Sequence, residues 1–224
     1  MDAPFRMRRH LQTNPPASAY LHKPDTFHIL APMNVRDGLL VAAARVYAEG
    51  GYHGATTRRI AATAGVNEIT LFRHFGSKDV LLREALAHCP GVEDAALPDE
   101  PRDPLQELTE WTRAHLRHLH ERATLIRTCL GEFSERPDLV TPEISCPVRA
   151  TSALAAYLGR LKRHRLAVAP FDERVAAAML MGVLFADGIG RDIVPAMYDT
   201  DPADALTEYL AVFLRGIGAE RSRA

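Results

Sequence analysis

Residues 56–78 read TTRRIAATAGVNEITLFRHFGSK, two short helical patterns separated by a glycine, and this stretch decides the fold. Thr56 is a helix N-cap type, and Ile60, Ala61 and Ala64 follow at the three- and four-residue spacing that buries one face of a helix. Gly65 ends that helix, because a residue without a Cβ takes the left-handed backbone of a C-terminal cap at little cost. Val66 then drops toward the core and Asn67 caps a second helix, Ile69 to Phe75, whose Leu71 and Phe75 point inward. Glu68, Ile69, Thr70, Phe72, Arg73 and His74 are left on the remaining faces. Two helices joined by a tight glycine turn form a helix-turn-helix, in which the second helix enters the DNA major groove. Ser77 caps a further helix whose first turn carries Lys78, a natural phosphate contact at a helix N-terminus.

Working outward, residues from about Val35 to Leu86 resemble the DNA-binding domain of the TetR family of bacterial transcriptional regulators, without an insertion. LLVAAARVYAEGGY (Leu39 to Tyr52) is similar to the family's apolar first helix followed by Gly-aromatic. Thr56, Ile60 and Ala61 match its second helix, and Ala64, Gly65 and Val66 match its turn. Thr70, Leu71, Phe72, His74 and Phe75 match its recognition helix, and Lys78 and Leu81 close the match.

The resemblance implies roles for particular side chains. Arg58 stands where family members place a base contact, and its guanidinium suits a bidentate pair with guanine. Thr57 beside it would touch phosphate, and Thr56 is a cap before it is a ligand. Glu68, Ile69, Thr70 and Arg73 occupy base-facing or groove-facing positions, and Phe72, His74 and Lys78 backbone-facing ones. Phe72 replaces the usual tyrosine and so lacks its phosphate hydrogen bond. Glu68 either accepts from a cytosine amino group or repels phosphate, and the sequence leaves both open. The plain alternative for Arg58 and Arg59 is a solvated helix face.

Composition agrees. The chain has 224 residues, 47% of them hydrophobic, enough for two domains with real cores. The net charge of −1 hides an asymmetry: residues 1–88 hold 11 Lys and Arg against 7 Asp and Glu, and residues 89–224 hold 16 against 21. The positive end carries the motif, as attraction to phosphate requires. Residues 1–33, with five prolines and no periodicity, predict a flexible extension. The functional reading of Arg6, Arg8 and Arg9 within it is a minor-groove arm. Cys89, Cys129 and Cys146 are odd in number, widely spaced and without a Cys-x-x-Cys pair, which predicts neither a disulfide framework nor a zinc site and suits a reducing cytoplasm. The longest apolar run, Val175 to Ala186, is too short to cross a bilayer, so no membrane partner is expected.

The fold class expected is all-α: a three-helix helix-turn-helix domain over 34–88 and a C-terminal helical ligand-binding and dimerisation bundle over 103–219. Leu105, Leu108, Trp111, Thr112, His115, Leu116 and Leu119 draw one apolar stripe, and Leu125, Ile126, Cys129, Leu130 and Phe133 another. A longer helix is expected from about Glu143 to His164. Asp172 caps a helix that is apolar almost all round, so one face needs a partner. Leu206, Leu210, Phe213 and Ile217 repeat at helix-packing spacing in the last helix. With Val175, Met179, Gly182 and Val183 they are the expected homodimer interface, similar to the family's two C-terminal helices; filling a monomer core is the alternative.

In the family the second domain encloses a small-molecule pocket. Trp111, His115, Phe133, Tyr157, Met179 and Phe185 are candidate lining residues, combining apolar bulk with a few polar tips. His115 and His118 lie one helical turn apart, but no carboxylate or cysteine completes a ligand set, so no metal is expected. No cofactor signature or nucleophile-base pairing occurs. The resemblance therefore implies a repressor released from its DNA operator by a small hydrophobic effector. The alternatives are an all-helical small-molecule-binding protein or enzyme using the C-terminal cavity, and a TetR-like activator without ligand control.

Overall fold

The computed structural model describes residues 34–88, 95–139 and 146–219; the extension expected at 1–33, with Arg6, Arg8 and Arg9, lies outside the described residues. The first helix, α1 (Val35–Gly54), begins where the Asn34 side chain accepts the Asp37 amide at 2.9 Å. It buries Leu39, Leu40, Ala42, Ala43, Val46 and Tyr47 along one face. Near its end Gly51 takes φ 61° and ψ −165°, a kink that only glycine adopts without strain. Three short helices follow, α2 (Thr57–Thr63), α3 (Glu68–Phe75) and α4 (Lys78–Ala87). Their caps are those the sequence predicts. Thr56 accepts from the Arg59 amide, Asn67 from that of Thr70 and Ser77 from that of Val80. Gly65 turns the chain between α2 and α3 at φ 70°. Ile60, Ala61, Leu71, Phe75, Leu81 and Leu82 join the buried face of α1 in one core.

The second half contributes α5 (Pro104–Glu121), α6 (Ala123–Glu132), α7 (Cys146–Arg163), α8 (Glu173–Gly190) and α9 (Pro202–Ile217). Among the described residues every element is helical, so the all-α expectation holds. Helices α5, α7, α8 and α9 share a core built on Leu108, Trp111, Leu154, Tyr157, Leu161, Leu180, Leu184, Leu210 and Phe213. The 143–145 start of the expected long helix lies outside the described residues.

Three findings correct the sequence-based expectations. The first concerns α6, which packs against α1: Leu125 and Leu139 are buried in the N-terminal core rather than in the bundle. Leu130 and Phe133, assigned by periodicity to a buried stripe, are exposed. The second concerns the last helix. Leu206, Leu210, Phe213 and Ile217 are only 1–5% exposed and pack within the subunit's own core, so that seam is already filled. Their spacing could not say which helices they meet. The third is that Cys146 is disulfide-bonded while Cys129 is free; Cys89 lies outside the described residues. No short motif brackets Cys146, because its pairing is set by tertiary folding and not by local spacing. No described helix is long and apolar enough to cross a membrane.

Candidate nucleic-acid interface

Helix α3 sets its side chains by the ordinary helical repeat. Leu71 and Phe75 are buried, which turns Ile69 and Phe72 outward at 79% and 46% exposure. Arg73 and His74 are exposed on the same outer surface. On α2, Arg58 is exposed, and among the described residues neither it nor Arg73 has a hydrogen-bond or ion-pair partner. Arg59 differs from its neighbour, since its guanidinium pairs with Glu49 of α1. Two unpaired guanidinium groups beside two exposed apolar side chains suit a surface that meets phosphates and base edges.

Other candidates have local duties. Thr56 caps α2. The Thr57 hydroxyl donates to Glu68 at 2.7 Å, fastening the start of α3 to α2. That bond, and the favourable end of the α3 dipole, give Glu68 a structural role whatever it does toward DNA. Thr70 donates its hydroxyl to the capping Asn67 at 3.0 Å. Lys78 is half-buried: its ammonium donates to the Tyr52 carbonyl and lies 3.7 Å from the centre of the Tyr52 ring. Burial holds the Lys78 pKa below its ordinary value. This lysine therefore ties α4 to the end of α1.

A family model described as bacterial regulatory proteins, tetR family, matches residues 39–85, the whole of this helix-turn-helix unit. Residues 39–85 are a TetR-family DNA-binding domain. The HTH-type transcriptional regulator YvkB of Bacillus subtilis is 25% identical over 192 residues, covering 85% of this chain and 100% of YvkB. The HTH-type transcriptional repressor AcnR of Corynebacterium efficiens is 45% identical over 65 residues, 29% of this chain and 32% of AcnR. The fold is shared with the fatty acid degradation regulator FadR from Bacillus halodurans, with a TM-score of 0.62, 22% identity, and coverage of 81% of this chain and 95% of FadR. With that domain, and with YvkB matched over its whole length, the protein is a DNA-binding transcriptional regulator of TetR type and not an enzyme. Regulators of the family bind operator DNA and act as dimers.

Behind the interface lies a cavity of about 210 Å³. Its wall is shared by α4 (Arg83, Leu86, Ala87), α5 (His115, His118, Leu119), α6 (Leu125, Ile126, Cys129, Leu130), α7 (Cys146, Pro147, Ala150) and α8 (Met181, Phe185), with Arg122 and Leu139 between helices. Of the lining residues expected from sequence, His115 and Phe185 are present. Trp111 borders two neighbouring clefts, one of which shares His115, Cys146 and Ala150 with the cavity. Tyr157 is fully buried and donates its hydroxyl to Glu107 at 2.6 Å, while Phe133 and Met179 are surface residues. The contributions of α4 and α6 were not foreseen, because each of those helices is too short for periodicity to separate a cavity face from a core face. His115 is buried, and burial holds its pKa below the ordinary value despite its Nδ1 contact with the Trp111 carbonyl at 2.8 Å. The ring is therefore neutral near pH 7.

The cavity wall is continuous with the helix-turn-helix unit. Arg122, between α5 and α6, donates to the carbonyls of His88 and Ala85 at the end of α4, the latter at 3.3 Å. These carbonyls have no partner inside α4, so a cation there completes the helix end. On the opposite side Glu132 of α6 accepts the Tyr52 amide at 3.0 and 3.1 Å. Arg136 stacks on the Tyr52 ring at 3.8 Å, and the Tyr52 hydroxyl donates to Asp79 at 2.6 Å.

Proposed function

We propose that the protein is a homodimeric, cytoplasmic repressor that leaves its operator when a small, largely apolar molecule occupies the cavity. The observation that carries this reading is the double role of α4, which walls the cavity through Arg83, Leu86 and Ala87 and packs on α1 of the DNA-binding unit. A ligand between α4 and α6 changes the position of α4, and with it the separation of the two recognition helices in the dimer. Arg58, Ile69, Phe72, Arg73 and His74 are the proposed DNA-contacting residues. Thr57, Thr70 and Lys78 support them and reach phosphate from the rim, and Glu68 holds the start of α3 against α2.

For the dimer, the reading rests on the outer face of α8. Val175, Met179, Gly182 and Val183 are exposed there, in line with Ala178 and Ala186. The small residues permit close helix approach, and the apolar area favours a second copy. Repression is supported by the word repressor in the name of AcnR, whose likeness is confined to 65 residues.

The test is an operator titration. DNA upstream of the gene, labelled for fluorescence anisotropy, should bind the dimer, and apolar compounds that raise the melting temperature should raise the operator Kd. By linkage, operator DNA should weaken binding of those compounds by the same factor. Stabilising compounds that leave operator affinity unchanged would refute ligand control.

A further inference from the structure

The cavity carries more chemistry than an apolar hole. Its described wall includes Arg83, Arg122, His115 and His118 and no aspartate or glutamate. Arg122 is half-buried, and among the described residues the hydrogen-bond partners of its guanidinium are the carbonyls of Ala85 and His88 at the end of α4. They engage two of the five N–H donors a guanidinium carries, and they offer partial charge only. Arg122 also borders a groove that holds Glu49 and Glu121, and among the described residues no ion pair joins it to either. Burial alone moves its pKa, downward. An arginine in an apolar wall without a counter-charge is costly unless an anion arrives, and a carboxylate matches its planar donor fork.

Size and lining restrict the rest of the molecule. The cavity, about 210 Å³, exceeds the roughly 150 Å³ that holds benzene. Leu86, Leu119, Leu125, Ile126, Met181 and Phe185 supply the apolar surround. One substituted ring or a medium-length alkyl chain fits.

We infer that the effector is an apolar monocarboxylic acid whose carboxylate pairs with Arg122 and whose body fills the space between α4, α6 and α8. This rests on the ligand-responsive reading above and adds the chemical class and the recognising residue. The carboxylate takes guanidinium N–H donors that the carbonyls of Ala85 and His88 leave free, so the ligand and the α4 end share one side chain.

The experiment uses alkanoates from hexanoate to decanoate and a set of 4-alkylbenzoates, each compared by calorimetry with its own primary amide on the full-length protein. At least one acid should bind about tenfold or more tighter than its amide, the margin of a charge-assisted pair. Arg122→Gln, which keeps N–H donors for the α4 carbonyls but loses the charge, should abolish that preference, and Arg122→Lys should keep most of it. Equal binding of acids and amides, absence of binding by every acid, or an acid preference that survives in Arg122→Gln would overturn the inference. The acid-to-amide ratio of the unmodified chain decides even if the Gln variant does not fold. The two readings separate cleanly. Amides that bind and release operator would leave ligand control intact and remove the carboxylate site. Acids that bind through Arg122 without changing operator affinity would do the reverse.

Discussion

Arg58 and Arg59 carry the same charge on one turn of α2, yet their surroundings divide their work. Arg59 reaches back to Glu49, a half-exposed pair of the kind that contributes at most about 1 kcal/mol. Arg58 makes no such bond within the described residues and stands in solvent. Replacing Arg58 with alanine should therefore leave the melting temperature unchanged. It should cost about 1–3 kcal/mol of operator binding, with a smaller loss on scrambled DNA. Anisotropy titrations on both DNAs check this; equal losses on both would reduce Arg58 to a phosphate contact. The motif made Arg58 legible in the sequence, but the Glu49 partner that sets Arg59 apart lies on another helix and has no local signal. Lys78 shows the same limit. A lysine at a helix start reads as a phosphate ligand, and its burial against Tyr52 arises from the fold of α1 and α4 together.

At the level of elements, helix ends were legible and helix partners were not. Thr56, Asn67 and Ser77 cap the helices they were expected to cap, because capping is settled within four residues of sequence. That α6 lies on α1, with Glu132 gripping the Tyr52 amide, depends on contacts 80 residues apart. This grip needs Gly51: a Cβ there would sit 2.1 Å from Glu132 Oε1, on a backbone of φ 61°. Gly51→Ala should cost about 1–3 kcal/mol of stability in chemical denaturation. Because the kink joins the DNA-binding unit to α6, it should also weaken the coupling between ligand and operator. An unchanged denaturation midpoint would contradict this role. The end of α8 has a comparable joint. Asp187 is fully buried, and accepts from Arg191 at 2.6 and 2.7 Å and from the Tyr209 hydroxyl of α9 at 2.9 Å. Burial pushes its carboxyl up, but the Arg191 and Tyr209 hydrogen bonds outweigh it and hold the pKa below the ordinary value. A carboxylate with a depressed folded pKa stabilises above its unfolded value of about 3.9 and loses that contribution as pH falls through the folded value. Asp187→Asn should flatten the acid limb of the stability profile below about pH 4. At neutral pH it should cost about 3 kcal/mol, since Arg191 loses its buried counter-charge. An acid limb of unaltered slope would show that other carboxylates dominate there.

For the whole molecule, operator recognition depends on two recognition helices held at a fixed separation, about 34–36 Å for half-sites one turn apart. One subunit alone binds a single half-site and forgoes the gain of simultaneous engagement. The distribution of apolar residues on α8 and α9 separates what holds the subunit together from what holds the pair. Phe213 is 3% exposed and sits among α9 residues packed on α5 and α8, whereas Met179 is 58% exposed on the outer face of α8. Both carry the apolar periodicity of a buried seam, and only the path of the chain tells which seam faces inward. A charge at Phe213 should therefore unfold or strongly destabilise the subunit, because an unpaired charge would be forced into its core. A charge at Met179 should leave the subunit folded and break the dimer, because the free surface already meets water. Met179→Glu should thus sediment as a monomer at micromolar concentration with an unchanged helical circular dichroism spectrum. It should lose most of its operator affinity although Arg58 and α3 are untouched. Phe213→Glu should show a lowered melting temperature or no cooperative transition. A Met179→Glu protein that remains dimeric would move the interface off this face of α8, and a stably folded monomer from Phe213→Glu would return it to the α9 seam.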